Sequence, residues 1–369
     1  MSHYALTALA NSLPATVPFV GPETQERALG QAFAARLGAN ESQFGPSPRA
    51  LEAMVQAAAG VWQYGDPENH DLKYALAAHH NIDPGHITVG EGIDGLLLTL
   101  ARLTIAPGDS ILTSLGAYPT FHYHAAGNGG TIHAVPYLDD HEDPQSLAEQ
   151  ARLLNAKLVY FANPDNPMGS WHAADAVQRL IDKLPSSCLL VLDEAYIDLA
   201  PSGTAPELLP ETDNMIRLRT FSKAYGMAGA RVGYAIGPKS LMTAFEKMRN
   251  HFGLSRISQA GALAALQDQA YVAEIKEKVA KSRVTLAHIA QDNGLTPLPS
   301  ATNFVTIDCG GDGDFAGKVL EQMIARAVFV RMPAVAPMNR CIRISCGAED
   351  AMALVAKTLP EALKAARAS

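Results

Sequence analysis

Short runs of β-branched and aliphatic residues alternate with Ala/Leu-rich stretches through the first two thirds of the chain. The runs at 87–89, 110–113, 131–135, 157–161, 188–192, 215–219 and 231–236 are predicted strands. Helical stretches such as 94–104 and 173–184 separate most of them, with Gly or Pro near the joints. Seven strands with crossovers of this length predict an α/β fold built on a mostly parallel sheet. The last two strands lie closer together, so their connection is the least defined. After Gly237 the pattern changes. A helical stretch over 238–293, broken near Gly253 to Ser258, precedes strands at 303–308, 327–331 and 341–345 and helices at 314–326 and 349–366. The expected organisation is an N-terminal arm (1–35), a large domain (36–249) and a smaller α+β domain (250–369).

Composition narrows the function classes. At 48% hydrophobic and 18% charged residues the chain is globular rather than disordered. A net charge of −8, from 29 Lys+Arg against 37 Asp+Glu, argues against a nucleic-acid wrapper or a polybasic membrane binder. No run reaches the ~20 apolar residues of a bilayer span, and no signal peptide is predicted at Met1 to Asn11. Cys188, Cys309, Cys341 and Cys346 lack a CxxC spacing, so neither a disulfide framework nor a zinc ribbon is expected. The expected location is the cytoplasm.

Residues 90–95 read Gly-Glu-Gly-Ile-Asp-Gly, a literal GxGxxG after a strand and at the start of a helix. A hydride-transfer enzyme using NAD would need an acidic residue at the end of the next strand, which instead ends Leu112-Thr113-Ser114-Leu115-Gly116. The N–H groups of a helix start bind phosphate whoever owns it. His79-His80 and His122-x-His124 could be read as metal ligands, but neighbours at i+1 or i+2 point to different helix faces. No metal is expected.

Four segments at predicted strand ends carry the informative chemistry. They are Asn163-Pro164-Asp165-Asn166-Pro167-Met168-Gly169, Asp193-Glu194-Ala195-Tyr196, Thr220-Phe221-Ser222-Lys223, and Arg231. Ligands of open α/β sheets bind at the carboxyl ends of strands, so these segments can converge. A lysine in a desolvated cleft can form an imine with an aldehyde, and pyridoxal phosphate is the common aldehyde cofactor. Asp193 fits a carboxylate that keeps the pyridine nitrogen protonated; Asn166 and Tyr196 fit the ring hydroxyl. The helix start at Gly92, Ile93 and Asp94, with Thr220, Ser222 and Arg231, supplies donors for a phosphate. Phe121 is a candidate to stack on the ring. Taken singly, each has a plainer explanation: a loop Lys is ordinarily a solvated charge, and an Asp before a helix an N-cap. Tyr196 and Phe121 are ordinarily core. The ordered set favours a site.

That order resembles the fold-type-I pyridoxal-phosphate aminotransferases, within them the histidinol-phosphate aminotransferase family. The likeness begins at Ala39-Asn40-Glu41-Ser42 and Phe44-Gly45-Pro46-Ser47-Pro48. It continues through Tyr64-Gly65-Asp66-Pro67 and the Asn166, Asp193 and Lys223 segments to Cys341-Ile342-Arg343-Ile344. The resemblance implies that Lys223 carries the imine and shuttles the proton. It implies that Tyr64 reaches the cofactor phosphate of a neighbouring subunit in a homodimer with shared sites. It also places Asn40, Arg331 and Arg343 at the substrate, an amino donor or a 2-oxo acid, and predicts histidinol phosphate with 2-oxoglutarate. Phe19 stands where the family usually has a tyrosine hydroxyl for the substrate phosphate, Met168 replaces a usual Thr, and Ile93 and Gly95 depart from the usual phosphate cup. Phe19 keeps an aromatic amino-acid aminotransferase in view, and an amino-acid phosphate ester decarboxylase is a further alternative.

Overall fold

The computed structural model describes residues 4–15 and 20–368. Its strands are β1 (Ala35–Arg36), β2 (Ile87–Gly90), β3 (Ser110–Ser114), β4 (Thr131–Val135), β5 (Leu158–Ala162) and β6 (Leu189–Asp193). They continue with β7 (Met215–Thr220), β8 (Gly233–Ile236), β9 (Thr296–Pro297), β10 (Phe304–Asp308), β11 (Val328–Phe329) and β12 (Cys341–Ser345). Seven of them form one sheet in the order β2-β8-β7-β6-β5-β3-β4. The expected α/β architecture is present, and only β8 runs against the other six. The short link after β7 explains that reversal, because about a dozen residues with no full helix cannot make a parallel crossover.

Burial on both faces accounts for the apolar strands. Every residue of β5 is buried, as parallel strands covered by helices on both sides require. Tyr160, Ala162, Val191 and Leu218 face one layer, packing with Ile93, Leu96, Phe121 and Ala125 of the helices Gly92–Thr104 and Pro119–Gly127. Val159, Phe161, Leu190 and Leu192 face the other, against the helices Pro144–Leu153 and Ala174–Lys183. Proline at the first helical position recurs at Pro48, Pro119 and Pro144, where the missing N–H costs nothing.

β9, β10 and β12 form an antiparallel sheet covered by the helices Gln269–Asp292, Gly313–Ala325 and Glu349–Ala368. The strand expected at 327–331 is shorter, Val328–Phe329, and pairs in parallel with Ala35–Arg36. A separate bridge joins Arg331 to Arg343. Ala35 and Arg36 are therefore stitched to the C-terminal strands. Among the described residues no helix is long and apolar enough to cross a membrane.

Candidate active site

The carboxyl ends of β5, β6 and β7 open into a cleft of about 820 Å³. It gathers Asn40, Ile93, Asp94, Asn166, Asp193, Tyr196, Thr220, Ser222, Lys223, Arg231, Arg331 and Arg343 on its walls. Register explains the convergence. Ala162 pairs with Asp193 and Asp193 with Leu218, so Tyr160, Asp193 and Thr220 all face the same side of the sheet.

Asp193 is buried, and its two oxygens accept from the Tyr160 hydroxyl at 2.6 Å and the Ala195 N–H at 2.9 Å. Burial pushes its carboxyl up to about 6, against the lowering effect of those two donors. Lys223 Nζ donates to the Asn40 carbonyl at 3.1 Å and lies 5.5 Å from the Tyr196 ring centroid. Burial first, then the Arg343 and Arg231 charges, lower the Lys223 ammonium to about 8. At pH 7 about a tenth of it is the neutral amine, against far less than a hundredth for an ordinary lysine. Asn40, in the left-handed region at φ 56°, turns its side-chain amide to the Tyr196 hydroxyl at 3.1 Å. Burial raises that phenol to about 12, so it stays protonated and can donate.

At the cleft's other end, Thr220 Oγ1 donates to Ser222 Oγ at 2.9 Å, and Arg231 Nη1 lies 3.4 Å from Ser222 Oγ. Gly92 begins the facing helix at φ 72°, and a Cβ there would stand 2.6 Å from Arg231 Nη2. The helix's first N–H groups, which lack partners within it, border the same space. Hydroxyls, a guanidinium and a helix N-terminus make a donor set suited to a phosphate. Asp94 stands beside them, 3.7 Å from Arg231 and accepting the Tyr118 hydroxyl at 3.1 Å.

Arg343 donates to Asn166 Oδ1 and to the Gly38 carbonyl at 3.1 Å, while its Nε is buried without a partner. Burial lowers it to about 10. Arg331, bridged to Arg343 through the backbone, donates from Nη2 to the Val20 carbonyl at 2.7 Å and also has an unpartnered buried Nε. Directly bridged residues share a face, so two guanidiniums sit on one wall with donors to spare. Such a donor set is suited to an anion.

Three expected residues stand elsewhere. Phe121 is 2% exposed and stacks on Tyr160, with ring centroids 4.6 Å apart and planes at 16°. It belongs to the core, because one turn into its helix the side chain points back to the sheet. Tyr118, at the cap of that helix, lines the cleft instead. Tyr64 is 78% exposed, outside this chain's cleft, with its ring 4.9 Å from that of Phe252. Phe19 lies outside the described residues. Tyr160 and Tyr118 were both missed. A lone hydroxyl in the apolar run Leu158–Ala162, and an aromatic just before the N1 proline, were the available signals. The GxGxxG does not sit in a dinucleotide unit: four strands separate β2 from β3, so no acid at the end of β3 could stand beside it.

The class I and II aminotransferase family model matches residues 35–359. A histidinol-phosphate aminotransferase of Geobacillus sp. (strain WCH70) is 30% identical over 359 residues, covering 95% of this chain and 96% of its own. The crystal structure of histidinol-phosphate aminotransferase from Sinorhizobium meliloti in complex with pyridoxal-5'-phosphate superposes with a TM-score of 0.96 at 52% identity, covering 98% of both chains. A Thermus thermophilus aspartate aminotransferase with maleate shares the fold, with a TM-score of 0.81 at 21% identity over 98% of this chain and 100% of its own.

Proposed function

The chain belongs to the class I and II aminotransferases, and on that premise we propose that it transfers the amino group of histidinol phosphate to 2-oxoglutarate, with pyridoxal phosphate as cofactor. The cofactor, when bound, supplies an aldehyde for covalent attachment and a ring that withdraws electrons. The observation that carries the reading is the meeting of Lys223, with its lowered basicity, and the buried Asp193 in one cleft whose far end collects phosphate donors.

Each residue has a task its surroundings prepare. Lys223 would hold the cofactor's aldehyde carbon through its amine, and the same amine, about a tenth neutral at pH 7, would take and return the proton at the reacting carbon. Asp193 would face the ring nitrogen and keep a proton there. Asn166 and the protonated Tyr196 direct donors to the ring hydroxyl, Asn166 being held by Arg343. Tyr118, which lines the cleft, would cover the ring face in place of Phe121. Gly92, Ile93 and Asp94 through their N–H groups, with Thr220, Ser222 and Arg231, take the cofactor phosphate.

The paired guanidiniums favour a donor with a dianionic phosphate over one with a single carboxylate, and in the second half of the cycle they accept the carboxylates of 2-oxoglutarate. Asn40 borders the same subsite. Tyr64, together with the exposed Leu51, Val55, Val61, Trp62 and Phe252, offers an apolar surface to a second copy, whose site Tyr64 would complete. Half-reactions of the cofactor-loaded chain with histidinol phosphate, phenylalanine and a threonine phosphate ester test the donor. Histidinol phosphate is expected to exceed phenylalanine in kcat/KM by about tenfold or more. Parity or reversal would assign the cleft to aromatic amino acids, and carbon dioxide release without a 2-oxo acid would assign it to decarboxylation.

A further inference from the structure

Beneath the turn that presents Asn166 lie two carboxyl groups that the transfer chemistry does not use. Glu142, just ahead of the helix Pro144–Leu153, is 1% exposed, and Asp165, within the turn, is 2% exposed. Glu142 accepts the Ser114 hydroxyl at 2.6 Å on one oxygen and the Ala162 N–H at 3.1 Å on the other. Asp165 accepts the Tyr137 hydroxyl at 2.8 Å and the Met168 N–H at 3.0 Å. The two carboxyl groups also lie close enough to interact with each other. Two buried carboxyls at such range hold one proton between them rather than two charges.

Among the described residues no base is ion-paired with either carboxyl, none is found against the Glu142 carboxyl, and the basic side chains that face the pair, His141 and Arg343, do so on the Asp165 side. His172 Nε2 is committed to the Glu142 carbonyl at 2.7 Å, and burial holds its ring on the neutral side. His141 faces Asp165 from the β4 side, and Tyr137 and Tyr160 are neutral phenols. Arg343 and Tyr196 face Asp165 from the cleft.

We propose that Glu142 and Asp165 share one proton and together act as positioning residues for Asn166. The proton resides on Glu142, and the single charge on Asp165, which accepts the Tyr137 hydroxyl and the Met168 N–H and is the one that His141 and Arg343 face. Burial raises Glu142 well above the usual carboxylate range, whereas the Met168, Tyr137 and Glu142 donors limit Asp165 to about 6. The charge thus falls on the residue next to Asn166 and on the side of Arg343, the partner of Asn166. The consequence for the cofactor rests on the function proposed above.

The test uses the full-length chain and two readouts. Denaturant unfolding is followed from about pH 5 to about pH 8, above the unfolded pKa of a glutamate. A folded carboxyl that keeps its proton binds one more proton than the unfolded chain, so stability is lost as pH rises toward its folded pKa. The folding constant of the wild type relative to Glu142→Gln should fall by up to about tenfold per pH unit. Parallel curves would overturn the shared proton. Pyridoxal phosphate affinity is the second readout. Glu142→Gln, which mimics the protonated acid, should keep it within about threefold, and Asp165→Asn should lose about tenfold or more. Equal effects would overturn the placement of the charge. Should Asp165→Asn not fold, Tyr137→Phe removes one of its donors and should weaken the cofactor about threefold or more; no change would overturn the positioning role. A wild type that binds no pyridoxal phosphate would sink the functional reading and leave the unfolding test decisive for the proton.

Discussion

Tyr160→Phe isolates one hydrogen bond in the site. The ring of Tyr160 packs on Phe121, and phenylalanine preserves that stack; only the hydroxyl that donates to Asp193 at 2.6 Å is lost. A hydrogen bond to a buried carboxylate contributes about 1.5–3 kcal/mol, which at 1.36 kcal/mol per pKa unit corresponds to about one to two units. That donor lowers the Asp193 carboxyl, which burial already holds near 6, so its removal moves the group upward, into the neutral range. Asp193 is then largely protonated at pH 7 and loses the charge that would hold a proton on the ring nitrogen. Cofactor affinity, measured by titrating pyridoxal phosphate into the stripped protein across pH, should fall about tenfold at pH 7 and recover above about pH 8.5. Its acid limb should move up by about one to two units relative to wild type. The linkage sign gives an independent check. A folded pKa above the unfolded value stabilises the protein at low pH and loses that contribution as pH rises through the folded pKa. The variant's stability deficit should therefore appear above about pH 6 and shrink below it. An unmoved acid limb, with a uniform loss at all pH values, would refute the electrostatic account and leave only packing.

Two further substitutions separate cleft from core. Phe121→Ala should lower stability by about 3–5 kcal/mol in chemical unfolding, because it empties a buried site. Tyr118→Leu should leave unfolding nearly unchanged and weaken pyridoxal phosphate by about tenfold through the lost ring face; the reverse pattern would restore Phe121 as the stacking residue. Gly92→Ala places a methyl 2.6 Å from Arg231 Nη2 at a left-handed φ of 72°. The strain of about 1–2 kcal/mol and the displaced guanidinium should cut affinity for pyridoxal phosphate more than for pyridoxal, read by paired titrations.

The apolar runs of this chain were enough to locate its seven main strands and to predict their mostly parallel sheet, because burial on both faces leaves a local mark in each strand. The order of Asn166, Asp193, Lys223 and Arg231 was equally legible, since Asn166 and Lys223 follow strands, Asp193 ends one, Arg231 stands just ahead of one, and strand ends are where an open sheet binds. What a linear pattern does not carry is direction. Phe121 and Tyr118 are three residues apart beside one helix start, and only the docking of that helix sends one ring to the core and the other to the cleft. Tyr160 reads as one more apolar strand residue until register sets its hydroxyl on Asp193. Glu142 and Asp165, distant in sequence, become a carboxyl pair only when the turn after β5 packs against the segment after β4. The lowered Lys223 and raised Asp193 belong to the same class of facts. Residue type decides which proton a group can hold, but its affinity for that proton depends on burial and on charges brought from remote segments, which exist only once the chain has folded.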